Sequence, residues 1–429
     1  MNMHNASWVR QNMVSPSARP ASQNGSFEWA RKNLFNGWLS AFLTVASVVS
    51  LAWLAMVIAP WLGNSVWRAN SLAECRQVLD GAPGACWGVI RDRWPQLLFG
   101  FYPSHLYWRP ALAFVLLFAA LAPVLFRSVP PRALWFSAVY PGLAYWLIWG
   151  GSLWFPVAAY CGLVVAAAMF RLMGRASRGL AFATAILGVA LWWIYAVQPS
   201  SVLANDILPI ALDPVASREV GGFLLSIIIG VTGIALSLPL GILLALGRRS
   251  SLPLIHLLSV TFIEFIRGVP LITLLFTASL LLNYFLPPGT NFDLILRVVI
   301  MVTLFASAYM AEVIRGGLAA LPRGQYEAAE ALGLDYWKAH RLVILPQALK
   351  ISIPGIVNSF IGLFKDTTLV MFIGLLDPIA LAAAIRANTN WQGIYWELFI
   401  FIGGVFFVFC FGMSRYSIYL ERRLKTDHR

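Results

Sequence analysis

Apolar residues in this chain come in long unbroken runs, not in the short alternation of half-buried strands. Ten runs are long enough to be spans, near 38–62, 110–126, 133–151, 152–170, 179–197, 220–246, 268–286, 294–312, 351–376 and 397–418. Each approaches the roughly 20 residues that a helix needs to cross a bilayer. A β-barrel would show short alternating segments instead. The predicted fold class is therefore an all-α polytopic membrane protein with about ten transmembrane helices. The turn at Gly150–Gly151–Ser152 is tight, so the two runs beside it could also be a bent pair or an interfacial segment. The run beginning at Trp38 follows a polar tail, 1–37, and is too long for a signal-peptide core. That tail reads as disordered.

Polar intervals divide the rest into a transmembrane extension, 38–200, which includes an outer loop at 63–109, and a second block, 220–425. The stretch from Leu254 to Leu286 would be about 50 Å long as one helix, more than a ~30 Å hydrocarbon core. A bend is expected, and Gly268 and Pro270 in "RGVP" supply it. Residues 253–266 then lie along the cytoplasmic interface.

Only 11% of the 429 residues are charged, against about 25% in globular domains. The net charge of +13 could suggest nucleic acid, but its placement argues otherwise. With the N-terminus inside, cytoplasmic segments hold 21 Lys and Arg and outer segments hold eight. That asymmetry is the positive-inside pattern, and no nucleic-acid partner is needed to explain it. An even span count places both termini in the cytoplasm.

Cys75 and Cys86 share the outer loop, in "ECRQVLDGAPGAC". An outer loop permits oxidation, and the Asp80–Gly81 and Pro83–Gly84 turn signals could fold the interval into a hairpin. A Cys75–Cys86 disulfide is expected, the alternative being two free thiols. Cys161 and Cys410 fall in spans and read as packing residues. The sequence has no metal-ligand spacing and implies no cofactor.

One polar stretch, "GQYEAAEALGLDYWKAHRLVILPQ" (324–347), stands between apolar runs. Two short helices fit it. Pro322 suits a helix start, and the first helix covers about Gln325–Leu332. Gly333 allows a sharp turn. Asp335 caps a second helix, with Lys338 and Arg341 toward its C-terminal half. Pro346 marks the break before the next span. Ala328 and Ala329 give the first helix a low-relief face that another protein's groove could accept.

Glu264 and Arg267 are three apart and can face each other, either as a structural ion pair or as part of a gate. Glu312 and Arg315 read as anchors at the cytoplasmic end of their span. In "NSFIGLFKDTTLV" (358–370), Lys365 and Asp366 sit at membrane depth. Ser359, Gly362 and Asp366 share one helix face, and Asn358 and Lys365 form an adjacent stripe. Adjacent residues diverge by about 100° around a helix, so each charge needs its own partner. Intramembrane ions pair internally or face a cavity; a structural network and a substrate path both remain open.

These words resemble the permease subunits of ATP-binding-cassette importers. The family's cytoplasmic loop reads Glu-Ala-Ala, three residues, Gly, nine residues, Ile, one residue, Leu-Pro. This chain has Glu327-Ala328-Ala329, Gly333, Val343 and Leu345-Pro346, with Val in place of Ile. "EFIRGVPL" (264–271), "AYMAEVIRGGLAALPRGQYEAA" (308–329) and "FKDTTLV" (364–370) resemble the polar-amino-acid branch. The resemblance covers about 220–425. The extra spans before 200 resemble the longer permease of general L-amino-acid importers.

The resemblance implies a five-helix type I permease core with coupling loop 322–346, in a bacterial inner membrane. It implies docking on ATPase subunits through Glu327, Ala328, Ala329, Gly333, Leu345 and Pro346. A substrate path near Asn358, Ser359, Lys365, Asp366, Thr367 and Thr368 is expected, with Glu264, Arg267, Gly268, Pro270, Glu312 and Arg315 at a gate. A second, non-identical permease and an extracytoplasmic amino-acid-binding protein complete the expected assembly, with membrane lipid around it. The sequence has no G-x-x-x-x-G-K-[ST] motif, so hydrolysis falls to the ATPase partner and this chain is expected not to be an enzyme. The rival is a stand-alone ion-coupled secondary transporter. It accounts for the spans and for Lys365–Asp366, but not for the 322–346 loop. A membrane-embedded enzyme would need His, Cys or carboxylates gathered at one depth, and the five His are scattered.

Overall fold

The computed structural model describes residues 26–126, 128–175, 177–281 and 293–424. The chain divides into two compact units, one of 1–67 with 73–87, the other of 68–72 with 88–429.

In the first unit, α1 (Ser26–Leu34) precedes α2 (Trp38–Gly63), an apolar helix with no buried residue. Helix α1 corrects the expectation of disorder for that part of the tail; residues 1–25 lie outside the described residues. Helix α3 (Leu72–Leu79) carries Cys75, which is disulfide-bonded to Cys86. The expected hairpin is instead this helix, and it stops because Asp80 and Gly81 both have positive φ, 44° and 82°. The backbone N–H of Val66 donates to Ala85 at 2.8 Å, and Trp87 stacks on Trp67 with centroids 5.7 Å apart. Reduction should therefore free a loop that the bridge restrains. Protease should cut between Cys75 and Cys86 only after reduction; equal cleavage of oxidised and reduced protein would contradict this.

The second unit opens with α4 (Gly88–Phe99) and α5 (Trp108–Leu125). Helix α6 (Leu134–Trp149), α7 (Trp154–Met173), α8 (Arg178–Leu191) and α9 (Val197–Ile207) follow, and strands β1 (Gly151–Ser152) and β2 (Ala211–Leu212) pair antiparallel. The later part contains α10 (Gly222–Arg248), α11 (Pro253–Gly268), α12 (Leu271–Phe276) and α13 (Leu294–Ala319). After them come α14 (Arg323–Ala331), α15 (Tyr336–Ala339), α16 (Leu345–Asp366), α17 (Pro378–Ala387) and α18 (Trp396–Leu424).

Among the described residues, eight helices are long and apolar enough to cross a membrane, or nine counting a bent pair. The predicted ten differ by α6, whose 16 residues reach only about 24 Å at the usual rise. The bent pair is α11 and α12, which meet at 104°. The bend falls at Gly268–Pro270, where Val269 is extended and Pro270 cannot continue the ladder. The predicted span 268–286 runs past Leu281, so its end lies outside the described residues.

Packing crosses the border expected near 200–220. Tyr102, Leu106, Leu147 and Ile148 share one buried cluster with Leu224, Leu225, Ile229 and Val302. Close approach of α10 and α13 depends on Gly241, where a Cβ would lie 2.6 Å from that of Met310. Small residues at such crossings let helices gain dispersion contacts where lipid offers no hydrophobic drive.

Candidate functional site

At one end of α10 and α13 a second cluster forms from Ala245, Leu246, Ile263, Met310, Ile314 and Leu318. Tyr326, Val343 and Leu345 pack against it, which seats the 322–346 loop on the helical body. Pro322 precedes α14 as its N-cap residue. Gly333 follows α14 with φ +69°, and the N–H of Leu334 returns to the Ala329 carbonyl at 3.1 Å. The Asp335 carboxylate accepts from the N–H of Lys338 at 2.8 Å and starts α15.

Two expectations about this loop are corrected. Ala329 is only 2% exposed, because the same turn that exposes Glu327 and Ala328 rotates it toward the body. Glu327, Ala328 and Leu332 are exposed. Pro346 does not break the chain. A π-helical turn, His340–Ile344, joins α15 directly to α16, and Pro346 sits in the first turn of α16. The wide turn relieves the missing N–H and the ring clash that would kink a regular helix. Lys338 and Arg341 consequently lie inside a continuing helix, with no C-terminal dipole to complement.

Beside the loop lies a cluster of five charges. Arg248 Nη1 donates to Glu264 Oε1 at 2.7 Å and reaches Glu312 Oε2 at 3.5 Å. Glu312 also accepts from Arg315 Nε at 2.9 Å, and Arg267 Nη1 lies 3.6 Å from its Oε2. The Arg267 guanidinium sits 5.6 Å from the Tyr309 ring centroid. The expected Glu264–Arg267 pair does not form; Glu264 pairs with Arg248 of α10 and Arg267 with Glu312 of α13 instead. Glu312–Arg315 pairs as spaced. Glu312 thus gathers arginines from α10, α11 and α13 around the point where α11 ends.

Helix α16 carries the other candidate residues. Asn358 and Lys365 are exposed and Asp366 is half-buried. The Lys365 ammonium and the Asp366 carboxylate form no hydrogen bond or salt bridge among the described residues. A Cβ on Gly362 would meet nothing within 4 Å. No described part of this chain covers that point of the stripe. Ser359 donates to the Gly355 carbonyl at 2.9 Å, and Thr368 to that of Lys365 at 2.9 Å. Thr367 is a correction. It is 1% exposed, donates to the Phe364 carbonyl at 2.8 Å and turns toward Gly230 of α10. The tight helix Thr367–Ile373 that follows α16 rotates it off the open face.

Reading the sequence alone passed over Arg248, Arg249 and Tyr326, whose arginines registered only as inward positive charge. It also passed over Asp377, which caps α17 by accepting from Ile379 and Ala380 at 3.1 and 2.9 Å. The signal was available in "DP" before an apolar run. Burial is the main influence on Asp377, and it pushes the carboxyl up to about 6 against the backbone N–H groups of Ala380, Ile379 and Asp377 itself. An unfolded aspartate titrates near ~3.9. Between those values the folded chain holds a proton that the unfolded chain lacks. The stability contribution is full below about pH 4 and is lost as pH rises through about 6. The size is on the order of 2–3 kcal/mol. Melting of solubilised protein should show this fall, and Asp377→Asn, which keeps a capping oxygen, should flatten it. Parallel profiles for the two proteins would contradict the assignment.

The family model for the binding-protein-dependent transport system inner membrane component matches residues 237–426. The glutamate/glutamine/aspartate/asparagine transport system permease protein BztC of Rhodobacter capsulatus is 57% identical over 434 residues, covering 100% of each chain. The inner membrane amino-acid ABC transporter permease protein YhdY of Escherichia coli is 40% identical over 424 residues, 96% of this chain and 98% of that one. Among solved structures, an amino acid ABC transporter crystallised with histidines is 34% identical over 46% of this chain and 90% of that chain, at a TM-score of 0.42.

Proposed function

From the premise that this chain belongs to the inner-membrane permease subunits of amino-acid ABC transporters, we propose that it lines the translocation path with the open face of α16. In this reading the loop 323–335 seats an ATPase subunit. A second, non-identical permease faces Asn358, Lys365 and Asp366, and an extracytoplasmic amino-acid-binding protein delivers the substrate. The membrane is the bacterial inner membrane, with both termini in the cytoplasm.

The observation that carries this reading is the uncovered stripe on α16. Ionisable groups inside a membrane pair or face a polar cavity, and the Lys365 and Asp366 side chains have no hydrogen bond or salt bridge among the described residues of their own chain. An amino acid brings both an ammonium and a carboxylate. A path that binds and then releases it needs complementary charge held loosely, and two side chains diverging around one helix offer that. Alternation between inward- and outward-open states then depends on contacts that differ between the two.

The full-length likeness to BztC supports acidic amino acids and their amides as the substrate class. In vesicles containing the assembled transporter, unlabelled glutamate, glutamine, aspartate and asparagine should each suppress uptake of labelled glutamate. Leucine and lysine should not. Suppression by all six alike would remove this substrate class while leaving the path intact.

A further inference from the structure

Resting on the reading that the loop 323–335 seats an ATPase, we propose that Tyr326 and Arg249 form the tie by which that seat moves the bent helix pair. Tyr326 is half-buried on the inward side of α14, apart from the outward residues Glu327 and Ala328. Its hydroxyl accepts from Arg249 Nη1 at 2.9 Å and lies 3.4 Å from the Leu318 carbonyl. The same Arg249 nitrogen reaches that carbonyl at 3.3 Å, and the guanidinium stands 5.6 Å from the Tyr326 ring centroid. Three elements therefore meet at one hydroxyl: α14, the end of α10 and the end of α13.

A cavity of about 350 Å³ lies beside this contact, lined by Arg249, Leu318, Arg323, Tyr326 and Glu330 among others. Tyr326 also packs on the cluster that holds Ala245 and Leu246 of α10, and beside the cavity the hydrogen bond adds a directional link between α14 and the end of α10. A hydrogen bond from a charged donor is shorter and about twice as strong as a neutral one, so it suits a link that must carry displacement.

Arg249 is the residue after Arg248, which binds Glu264 and Glu312. Glu312 in turn holds Arg267 at 3.6 Å. Arg267 immediately precedes Gly268, where α11 gives way to the 104° bend. A shift of α14 thus passes through one hydroxyl into α10, through the charge cluster into α11, and so to the hinge of α12. Spatial continuity alone does not establish coupling; a variant that leaves docking intact and alters transport does.

Tyr326→Phe, Arg249→Ala and the double variant should be reconstituted with the ATPase, partner permease and binding protein. Copurification of the ATPase, glutamate uptake and ATP hydrolysis are then measured together. Tyr326→Phe should copurify like the wild type, and its uptake per ATP hydrolysed should fall about tenfold, the loss expected for one charge-assisted hydrogen bond. Arg249→Ala should do the same. Because either change removes the Tyr326–Arg249 bond, and Arg249→Ala removes the Leu318 contact as well, the double variant should be no worse than Arg249→Ala alone. Wild-type uptake per ATP in Tyr326→Phe would overturn the tie. So would losses that multiply in the double variant, or loss of copurification in Tyr326→Phe, which would make the hydroxyl a docking group. Failure of the docking reading itself is a separate result, seen if Ala328→Trp and Gly333→Val copurify normally.

Discussion

Gly333→Val and Ala328→Trp should each strip the ATPase from the purified permease while leaving the permease itself inserted and folded. Gly333 has φ +69°, a conformation that a β-branched residue resists. A Cβ there would meet nothing within 4 Å, so the effect comes from the backbone alone. Relaxing that strain means redirecting the chain between α14 and α15, and the outward face moves with it. The cost of a left-handed conformation is about 1–2 kcal/mol. A β-branched residue lies at or above its upper end, which is a tenfold or larger loss of affinity. Ala328 is exposed, so Trp there leaves this chain's own packing alone and overfills a groove in the partner. Such misfit typically costs 1–3 kcal/mol, roughly a 5- to 150-fold loss. Ala329→Trp would be a poor test of the same idea, since the buried Ala329 would disturb the loop before any partner arrived. Copurification at controlled ATPase concentration gives the answer; wild-type recovery of both variants would remove 323–335 as the seat.

A comparable loss is expected at Asp366, this time in transport. Asp366→Asn keeps the shape of the side chain and removes its charge from an open stripe. Uptake should drop about tenfold or more, the scale of one hydrogen bond to a charged group. ATPase association should be unchanged, because Asp366 ends α16 about 30 Å along the helix from Pro346 at its other end. Asp366→Glu, which keeps the charge, should recover part of the uptake. Normal uptake by Asp366→Asn would mean that the carboxylate serves packing between subunits, and the stripe would lose its role as a path.

What could be read in the sequence follows from which features are local. The bend between α11 and α12 was legible because the apolar run exceeds a bilayer and contains Gly268 and Pro270. The Gly333 turn and the Asp335 cap were legible because both are decided within four residues. Glu264 and Arg267 were not. Spacing on one helix made them neighbours, yet Arg248 and Glu312, distant in sequence, supply their actual partners. Ala329 was misjudged because an Ala-Ala pair names a small face without saying which of the two points inward. Pro346 was misjudged because a proline breaks a regular helix, and the π turn before it is not regular. Helix α6 shows the same limit in length: an apolar run of span size holds a helix of only 16 residues, since a 3-10 helix at Pro131–Ala133 and strand β1 take up its flanks.

This permease should move amino acids only when an ATPase drives it through the 323–335 seat. The most direct measurement is labelled glutamate uptake into vesicles bearing this chain with its partner permease, ATPase and glutamate-loaded binding protein, with ATP supplied on the ATPase side. Uptake should require ATP and the loaded binding protein together, and should be abolished when Gly333→Val and Ala328→Trp are combined. Uptake driven by an ion gradient through the permease alone, without ATPase or ATP, would contradict the account.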